Sequence, residues 1–196
     1  MRHLPAVVLS FAVALPAAAQ DVGYAGQQDR DIKALSAQET ADLLAGRGMG
    51  MARAGELNHY PGPAHVLELR DKLALTPEQV AAAKASFERM AAAARPLGAE
   101  LVGRERALDA AFKEGAFKKG AFKDEAFKGG ALTLDGLARQ TADIAAVQGR
   151  LRAVHLAAHL EMRLLLSPQQ VAAYDGLRGY AGPTAEPGAH HGTHRP

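Results

Sequence analysis

Two short stretches, Leu75-Thr76-Pro77-Glu78-Gln79 and Leu166-Ser167-Pro168-Gln169-Gln170, share one order of residue types and predict where two helices begin. In each stretch a hydroxyl residue occupies the N-cap position, where its side chain accepts a hydrogen bond from a backbone N–H of the first turn. A proline follows at the first helical position, and a glutamine three residues after the cap completes a capping box. The predicted capping residues are Thr76, Pro77, Gln79, Ser167, Pro168 and Gln170.

Apolar residues at heptad-like spacing predict that two long helices pack along each other. One stripe follows Pro77 and the other covers about residues 133–165. Such stripes favour an antiparallel helical hairpin. Pro96 lies inside the first helix, and we expect it to kink or split that helix because proline lacks the N–H of the helical hydrogen bond. The stripes are Val80, Phe87, Ala94, Leu101 and Leu108, and then Leu137, Ile144, Leu151 and Ala158.

Shorter helices are predicted on both sides of this hairpin. Ser36–Glu39 has the pattern of a further capping box, and the glycines between Gly46 and Gly50 weaken the helix that it opens. Tyr60–Pro63 predicts a turn, and Gly179 predicts the end of the last helix. The sequence therefore predicts an all-α fold, an elongated bent helical hairpin with short flanking helices, in one domain over residues 35–180.

The N-terminal region predicts export. Arg2 precedes the apolar run Leu4–Leu15, and Ala17–Ala19 offers a small-residue cleavage site, so residues 1–19 read as a signal peptide. No later run of 18 apolar residues exists, so no stable membrane insertion is expected. We predict a Sec-exported, soluble periplasmic protein whose residues 20–34 form a flexible lead.

The composition excludes several classes of function. The formal net charge of the chain is only +2, and removal of the signal peptide lowers it further because Arg2 is lost. A charge this small does not indicate a surface that binds nucleic acid. The chain has 0 cysteines, which excludes disulfides, thiol catalysis and thiolate metal sites. It also lacks a G-x-S-x-G pattern and a glycine-rich phosphate loop. We predict that the protein is not an enzyme.

The doubled capping stretch resembles the LTxxQ motif of the Spy/CpxP-like periplasmic proteins, in which the motif also occurs twice. The second copy has Ser167 where the motif has threonine. The segment from Gly48 to Leu69 is similar to a subgroup described as periplasmic heavy-metal sensors or refolding chaperones. This resemblance covers roughly residues 35–180 and implies an all-helical fold and a periplasmic location. The family groups chaperones, signalling modulators and uncharacterised proteins, so it does not by itself imply one molecular function.

An Ala-Phe-Lys unit recurs at a constant spacing of five residues within residues 111–130, at the tip of the predicted hairpin. Five residues advance a helix by about 140°, so the phenylalanines would spiral around a helix and not line one face. We interpret the repeat as an expansion of the tip without a role in the core. The alternative is a sticky basic arm that contacts unfolded clients, a membrane surface or an acidic partner. Its phenylalanines are Phe112, Phe117, Phe122 and Phe127.

Two groups of histidines are candidate metal ligands. His155 and His159 lie four residues apart on one helical face, with Met162 close behind, and this spacing suits one metal ion, copper included. The alternative is that these histidines are packed or solvated, and the absence of an H-E-x-x-H pattern argues against a zinc hydrolase. The tail 181–196, expected to be disordered, has the composition of a loose Ni²⁺, Cu²⁺ or Zn²⁺ binder. Its histidines are His190, His191 and His194.

These observations support two main hypotheses of function. The first is an ATP-independent chaperone or holdase that needs no cofactor. It would bind unfolded or misfolded periplasmic proteins through Phe87, Met90, Leu97 and the repeat, as a single hairpin or as a homodimer. The alternative is a metal-responsive protein that uses His155, His159 and the tail to buffer copper, zinc or nickel, or to modulate an envelope sensor protein. A third, structural reading is that the helices pair with another envelope protein.

Overall fold

The computed structural model describes residues 23–117 and 133–180, with only the backbone for residues 115–117, and over these ranges the chain is all-α without a strand. The predicted signal peptide, most of the Ala-Phe-Lys repeat, with Phe122 and Phe127, and the tail histidines lie outside the described residues. The helices are α1 (Ala37–Ala45), α2 (Arg53–Glu56), α3 (Pro63–Glu68), α4 (Pro77–Phe117), α5 (Leu134–Leu165) and α6 (Pro168–Arg178).

The long helices α4 and α5 lie side by side and run antiparallel. Three ion pairs join them, and their positions rise along α4 as they fall along α5. Each pair is largely exposed and contributes less than about 1 kcal/mol, so the pairs mark the register more than they stabilise it. They are Arg89–Glu161 at 2.7 Å, Glu100–Arg150 at 2.9 Å and Arg104–Asp143 at 2.9 Å.

Two apolar clusters form the core of the described residues. The first lies where α1 crosses α4 and α5, and the second lies where α3, α4, the end of α5 and α6 meet. Burial of apolar side chains in these clusters is the main force that holds the short helices onto the long ones. The first contains Ile32, Leu43, Ala94, Leu101, Val102, Ile144, Val147 and Leu151, and the second contains Val66, Leu73, Ala83, Met162, Leu166, Val171 and Tyr174.

The structure differs in part from two predictions about local structure. The end of the predicted flexible lead is anchored, because Ile32 is buried in the first cluster and bridges to Leu35. Helix α4 continues through Pro96 to Phe117, which excludes the predicted split, while the kink stays a prediction. The missing N–H costs roughly 3 kcal/mol in a helix interior. Packing of Ala94 and Leu101 against the neighbouring helices offsets that cost. This packing cannot be predicted from the local sequence around Pro96.

The two capping stretches meet in the folded chain. Thr76 Oγ1 accepts the N–H of Gln79 at 3.2 Å, and Ser167 Oγ accepts that of Gln170 at 3.2 Å. The two glutamine amides then pair head to head, each Nε2 donating to the other Oε1 at 2.9 Å. The second hydrogen of each amide goes to a backbone carbonyl, of Leu165 at 3.1 Å or of Leu73 at 3.3 Å. This arrangement ties the start of α4 to the start of α6.

Candidate functional site

A cavity of about 390 Å³ lies between α5, the segment from Gly48 to His65, and the end of α6. Imidazole, carboxylate, guanidinium and thioether groups share its wall, whereas the two core clusters contain almost only apolar side chains. A cleft with several convergent polar groups is a common form of binding site. The lining side chains that carry chemistry are Met49, Arg53, Glu56, His65, Met90, His155, His159 and Arg178.

Glycines bring the backbone of this segment against the imidazoles of α5. A Cβ atom at Gly48 would lie 3.3 Å from His155 Nδ1. At Gly62 it would lie 2.9 Å from His159 Cε1 and 3.0 Å from Nε2, and at Gly55 it would lie 3.5 Å from His159 Cβ. A larger residue at Gly62 would displace the ring of His159. The three glycines therefore create the space in which the imidazoles lie.

His155 is buried in surroundings that favour the neutral imidazole. Its side chain lies in the apolar seam of α5 with 3% exposure, and its Nε2 has no hydrogen-bond partner among the described residues. Burial lowers the pKa of His155, and repulsion from the nearby His159 lowers it further. A neutral imidazole presents one ring nitrogen with a free lone pair, which is the form that binds metal ions.

His159 is oriented by a backbone carbonyl. Its Nδ1 lies 2.8 Å from Tyr60 O, and because a carbonyl only accepts, Nδ1 carries the hydrogen. The lone pair of a neutral His159 is then on Nε2, the atom next to Gly62. Donation from the far ring nitrogen to a carbonyl is the arrangement that commonly fixes a metal-binding histidine.

Helix α6 holds the remaining wall of the cavity in place. The hydroxyl of the buried Tyr174 donates to Glu56 Oε1 at 2.5 Å, and Arg178 Nε lies 3.6 Å from the same oxygen. Burial, together with this hydrogen bond to Glu56, raises the pKa of Tyr174 above its ordinary range. The other carboxylate oxygen, Glu56 Oε2, has no hydrogen-bond partner among the described residues, and it lies at ion-pair distance, 3.5 Å, from His159 Nδ1.

Of the candidate metal ligands predicted from sequence, His155 and His159 line one cavity and Met162 does not. Met162 is buried in the second cluster beside Tyr174, because one helical turn beyond His159 the seam of α5 faces α3 and α6. Within the described part of the chain, no three of the residue types His, Cys, Asp and Glu gather closely enough to hold a metal ion. Sequence reasoning missed Glu56 and Met90 as wall residues, since neither has a local pattern that points to this cavity.

The predicted client-binding stripe is not one exposed surface. Leu97 packs against the first cluster, and Met90 lines the cavity, because both lie on faces of α4 that other helices cover. Phe87 and Phe112 are exposed on α4, and the side chain of Phe117 lies outside the described atoms.

An exposed apolar face instead runs along α5, opposite its buried seam. Leu160 and Leu164 are 50% and 80% exposed on it, and exposed small residues continue the same face toward the start of the helix. The signal was present in the sequence, because α5 has apolar residues on two faces. No helix of the described ranges is long and apolar enough to cross a membrane. The small residues are Ala138, Ala142, Ala146, Gly149, Ala153 and Ala157.

Comparison with known proteins adds no family. The chain matches no protein-family model, and neither the curated proteins nor the solved structures contain a significant match. Function must therefore be argued from the chemistry of the site itself.

Proposed function

We propose that this protein binds a late transition-metal ion, of the copper, nickel or zinc type, through His155 and His159. The observation that carries the proposal is the buried and unpartnered Nε2 of His155 in a cavity that it shares with His159. We also propose that the chain is a Spy/CpxP-like protein of the periplasm, which the doubled LTxxQ-like stretch and the predicted signal peptide support. In that setting it would buffer the metal or pass metal occupancy to an envelope sensor.

The donor set of the cavity fits a cation. Leaving a buried polar atom unpaired costs about 1–3 kcal/mol, and an apolar residue of similar shape would avoid that cost. Glu56 Oε2, the other unpaired buried atom among the residues that line the cavity, is an acceptor. A carboxylate oxygen and the lone pair of a neutral imidazole can both be satisfied by a cation or by a donor such as water. The thioethers of Met49 and Met90 in the same wall add soft donors, which favour copper(I) among these ions.

Calorimetric titration of the mature protein with Zn²⁺ tests this proposal. We expect His155→Leu and His159→Gln each to weaken binding at least about 10-fold, the lower range for lost groups around a metal site. His59→Gln is the matched control, because His59 is an exposed histidine that pairs with Asp175 and does not line the cavity. Equal affinity in all variants, each shown to be helical by circular dichroism, would contradict the proposal.

A second candidate function is the holding of unfolded clients, and the exposed face of α5 favours it. Leu160, Leu164 and the small residues before them form an apolar strip with arginines at its margins, among them Arg152 and Arg163. Exposed apolar surface of this kind is typical of sites that bind other chains, and it needs no nucleotide. This candidate is the chaperone hypothesis transferred from α4 to α5.

Light scattering of an aggregating client in EDTA tests the second candidate. We expect an equimolar amount of the protein to suppress aggregation, and Leu160→Gln/Leu164→Gln to lose most of that effect. Leu44→Gln is the control, because Leu44 is also 50% exposed but lies on α1. A folded protein that leaves the scattering of the client unchanged would rule out client holding.

A further inference from the structure

The fold uses its described methionines in two ways. Met51 packs against the first apolar cluster, and Met162 is buried in the second. Met49 and Met90 instead line the cavity, in the wall that also carries the two imidazoles of α5. They come from different elements, since Met49 precedes α2 and Met90 belongs to α4. The tertiary structure therefore brings two thioethers to the site of the two imidazoles.

Met49 is held in a backbone conformation that methionine rarely adopts. Its φ is 46°, in the left-handed region where a side chain crowds the backbone, and a glycine flanks it on each side. Met49 stays 41% exposed, so burial in the core does not explain this conformation. The same turn places Gly48 against His155, where an added Cβ would lie 3.3 Å from Nδ1. Strained residues of this kind recur at binding sites, and here the strained turn holds Met49 next to the contact with His155.

The carboxylate of the cavity is not placed to complete a zinc site. Zinc is bound by imidazole, carboxylate and thiolate groups, three or four of them in most proteins. Glu56 Oε2 lies 3.5 Å from His159 Nδ1, which is the nitrogen that carries the hydrogen and not the one with the lone pair. Within the described residues, no three of His, Cys, Asp and Glu come close enough together to hold a metal ion. In this part of the chain, a zinc ion would therefore find only the two imidazoles.

The charges of the cavity wall favour a monovalent ion over a divalent one. Arg53 and Arg178 both line the cavity, and Glu56 is the one acidic residue among the described lining residues. Arg178 Nε lies 3.6 Å from Glu56 Oε1, so the charge of this carboxylate is already partly neutralised. The repulsion between a cation and the remaining guanidinium grows in proportion to the charge of the cation. A singly charged ion that accepts sulfur ligands therefore suits this wall best.

We infer that the ion is copper(I), and that the thioethers of Met49 and Met90 bind it together with the imidazoles of His155 and His159. Copper(I) carries a single charge and is selected by soft sulfur ligands, thioethers included. Zinc gains nothing from the thioethers, because its protein ligands are imidazole, carboxylate and thiolate. This inference rests on the proposed function, since it names the ion and adds two ligands at the same site.

Competition with bicinchoninate, a chelator that forms a coloured copper(I) complex, measures the affinity of each variant for copper(I) in anaerobic ascorbate. We expect Met49→Leu and Met90→Leu each to weaken copper(I) binding at least about 10-fold and to leave Zn²⁺ binding, measured by calorimetry, unchanged. Leucine conserves the volume of methionine, so the fold should be retained. Met51→Leu is the matched control and should keep the original affinity, because Met51 packs against the first cluster.

X-ray absorption at the copper edge identifies the atoms that bind the ion. The chain has 0 cysteines, so sulfur bound to copper(I) can come only from methionine. With an equimolar amount of copper(I) we expect both nitrogen and sulfur neighbours, and Met49→Leu/Met90→Leu should lose the sulfur. Copper(I) held by histidines elsewhere in the chain would show nitrogen neighbours without sulfur, and that result would contradict the inference.

The outcomes separate this inference from the function on which it rests. Methionine variants that bind copper(I) as tightly as the original protein would overturn the thioether ligands, while weaker Zn²⁺ binding in His155→Leu and His159→Gln would still support the metal site. Weaker Zn²⁺ binding in Met49→Leu or Met90→Leu would contradict the choice of copper(I), because the substitution would then act through the shape of the cavity. Undiminished affinity of both histidine variants for both ions would overturn the metal site itself.

Discussion

At the scale of single residues, His155 occupies a place in α5 that suits an apolar side chain. It follows Leu151 and precedes Ala158 in the buried seam, and its ring faces Gly48. The ring nitrogen Nε2 gains no hydrogen bond from any described residue. Binding sites often retain residues that lower the stability of the fold.

Replacing His155 with leucine should therefore stabilise the metal-free protein. We expect the free energy of unfolding to rise by about 1 kcal/mol, because the substitution removes a buried polar atom without a partner. Urea denaturation in EDTA measures this change. His59→Leu is the comparison and should not be stabilising, because His59 Nδ1 lies 2.7 Å from Asp175 Oδ2. A large loss of stability in the His155 variant would assign its imidazole a structural role.

Tyr174 should make the protein sensitive to alkaline pH. Burial raises its pKa in the folded state above that of the unfolded chain, which is about 10, so its contribution to stability is complete below pH 10 and is lost as the pH rises above it. The free energy of unfolding should then fall by up to about 1.4 kcal/mol per pH unit from this residue. Denaturation between pH 8 and 11 measures the slope.

Two phenylalanine variants separate this effect from the other tyrosines. Tyr174→Phe should reduce the alkaline slope, whereas Tyr24→Phe should not, because Tyr24 is 84% exposed. An unchanged slope in Tyr174→Phe would contradict the assignment.

At the scale of helices, the starts of α4 and α6 depend on each other. Gln79 and Gln170 each complete a local capping box and also pair with each other. A double-mutant cycle of Gln79→Ala and Gln170→Ala should give a coupling energy of about 0.5–1.5 kcal/mol. Gln38→Ala, which removes a bond to Asp42 on α1, should instead combine additively with Gln79→Ala. Additive effects of Gln79→Ala and Gln170→Ala would show that the amide pair is not formed in solution.

The crossing of α1 over α4 depends on Gly98. A Cβ atom at this position would lie 2.0 Å from the backbone oxygen of Leu43, so α1 would have to move. Gly98→Ala should lower the free energy of unfolding by about 3 kcal/mol. Gly103→Ala, on the same helix with no atom within 4 Å of the added Cβ, should raise it by about 0.5–1 kcal/mol because alanine favours helix. Thermal or urea unfolding of both variants measures this difference in sign.

At the scale of the whole molecule, the cavity joins parts of the chain that are distant in sequence. Its wall includes residues of α2, α3, α4, α5 and α6. A ligand that binds there adds its binding free energy to the stability of the fold.

Zinc should therefore raise the melting temperature of the protein. At 100 times Kd, binding adds about 2.7 kcal/mol, which corresponds to roughly 5–11 °C for a domain of this size. Scanning calorimetry with Zn²⁺ and then with EDTA measures the shift and its reversal. His155→Leu should show little shift at the same Zn²⁺ concentration, and an equal shift in that variant would place the stabilising ion elsewhere.

Much of the helical framework could be predicted because capping acts over three or four residues. Ser36 and Ser167 begin their helices, and Gly179 ends its helix, through bonds to neighbours in the chain, and Thr76 forms such bonds with Gln79. The predicted break after α1 is present, with Gly46 in the left-handed region at φ 73°. These features need no partner from another element, so the sequence alone determined them.

The site depended on tertiary structure, because α5 is apolar on two faces and local pattern cannot say which face is covered. Packing of α5 against α4, the segment at Gly48 and the short helices buried His155 and placed Met162 in the second cluster, while it left Leu160 and Leu164 exposed. The sequence by itself determined an all-α chain, where its capped helices begin, and two histidines on one face of α5. Only the tertiary structure brought those histidines to Glu56, Met90 and three glycines, since residues this distant in sequence meet through packing and not through local hydrogen bonds.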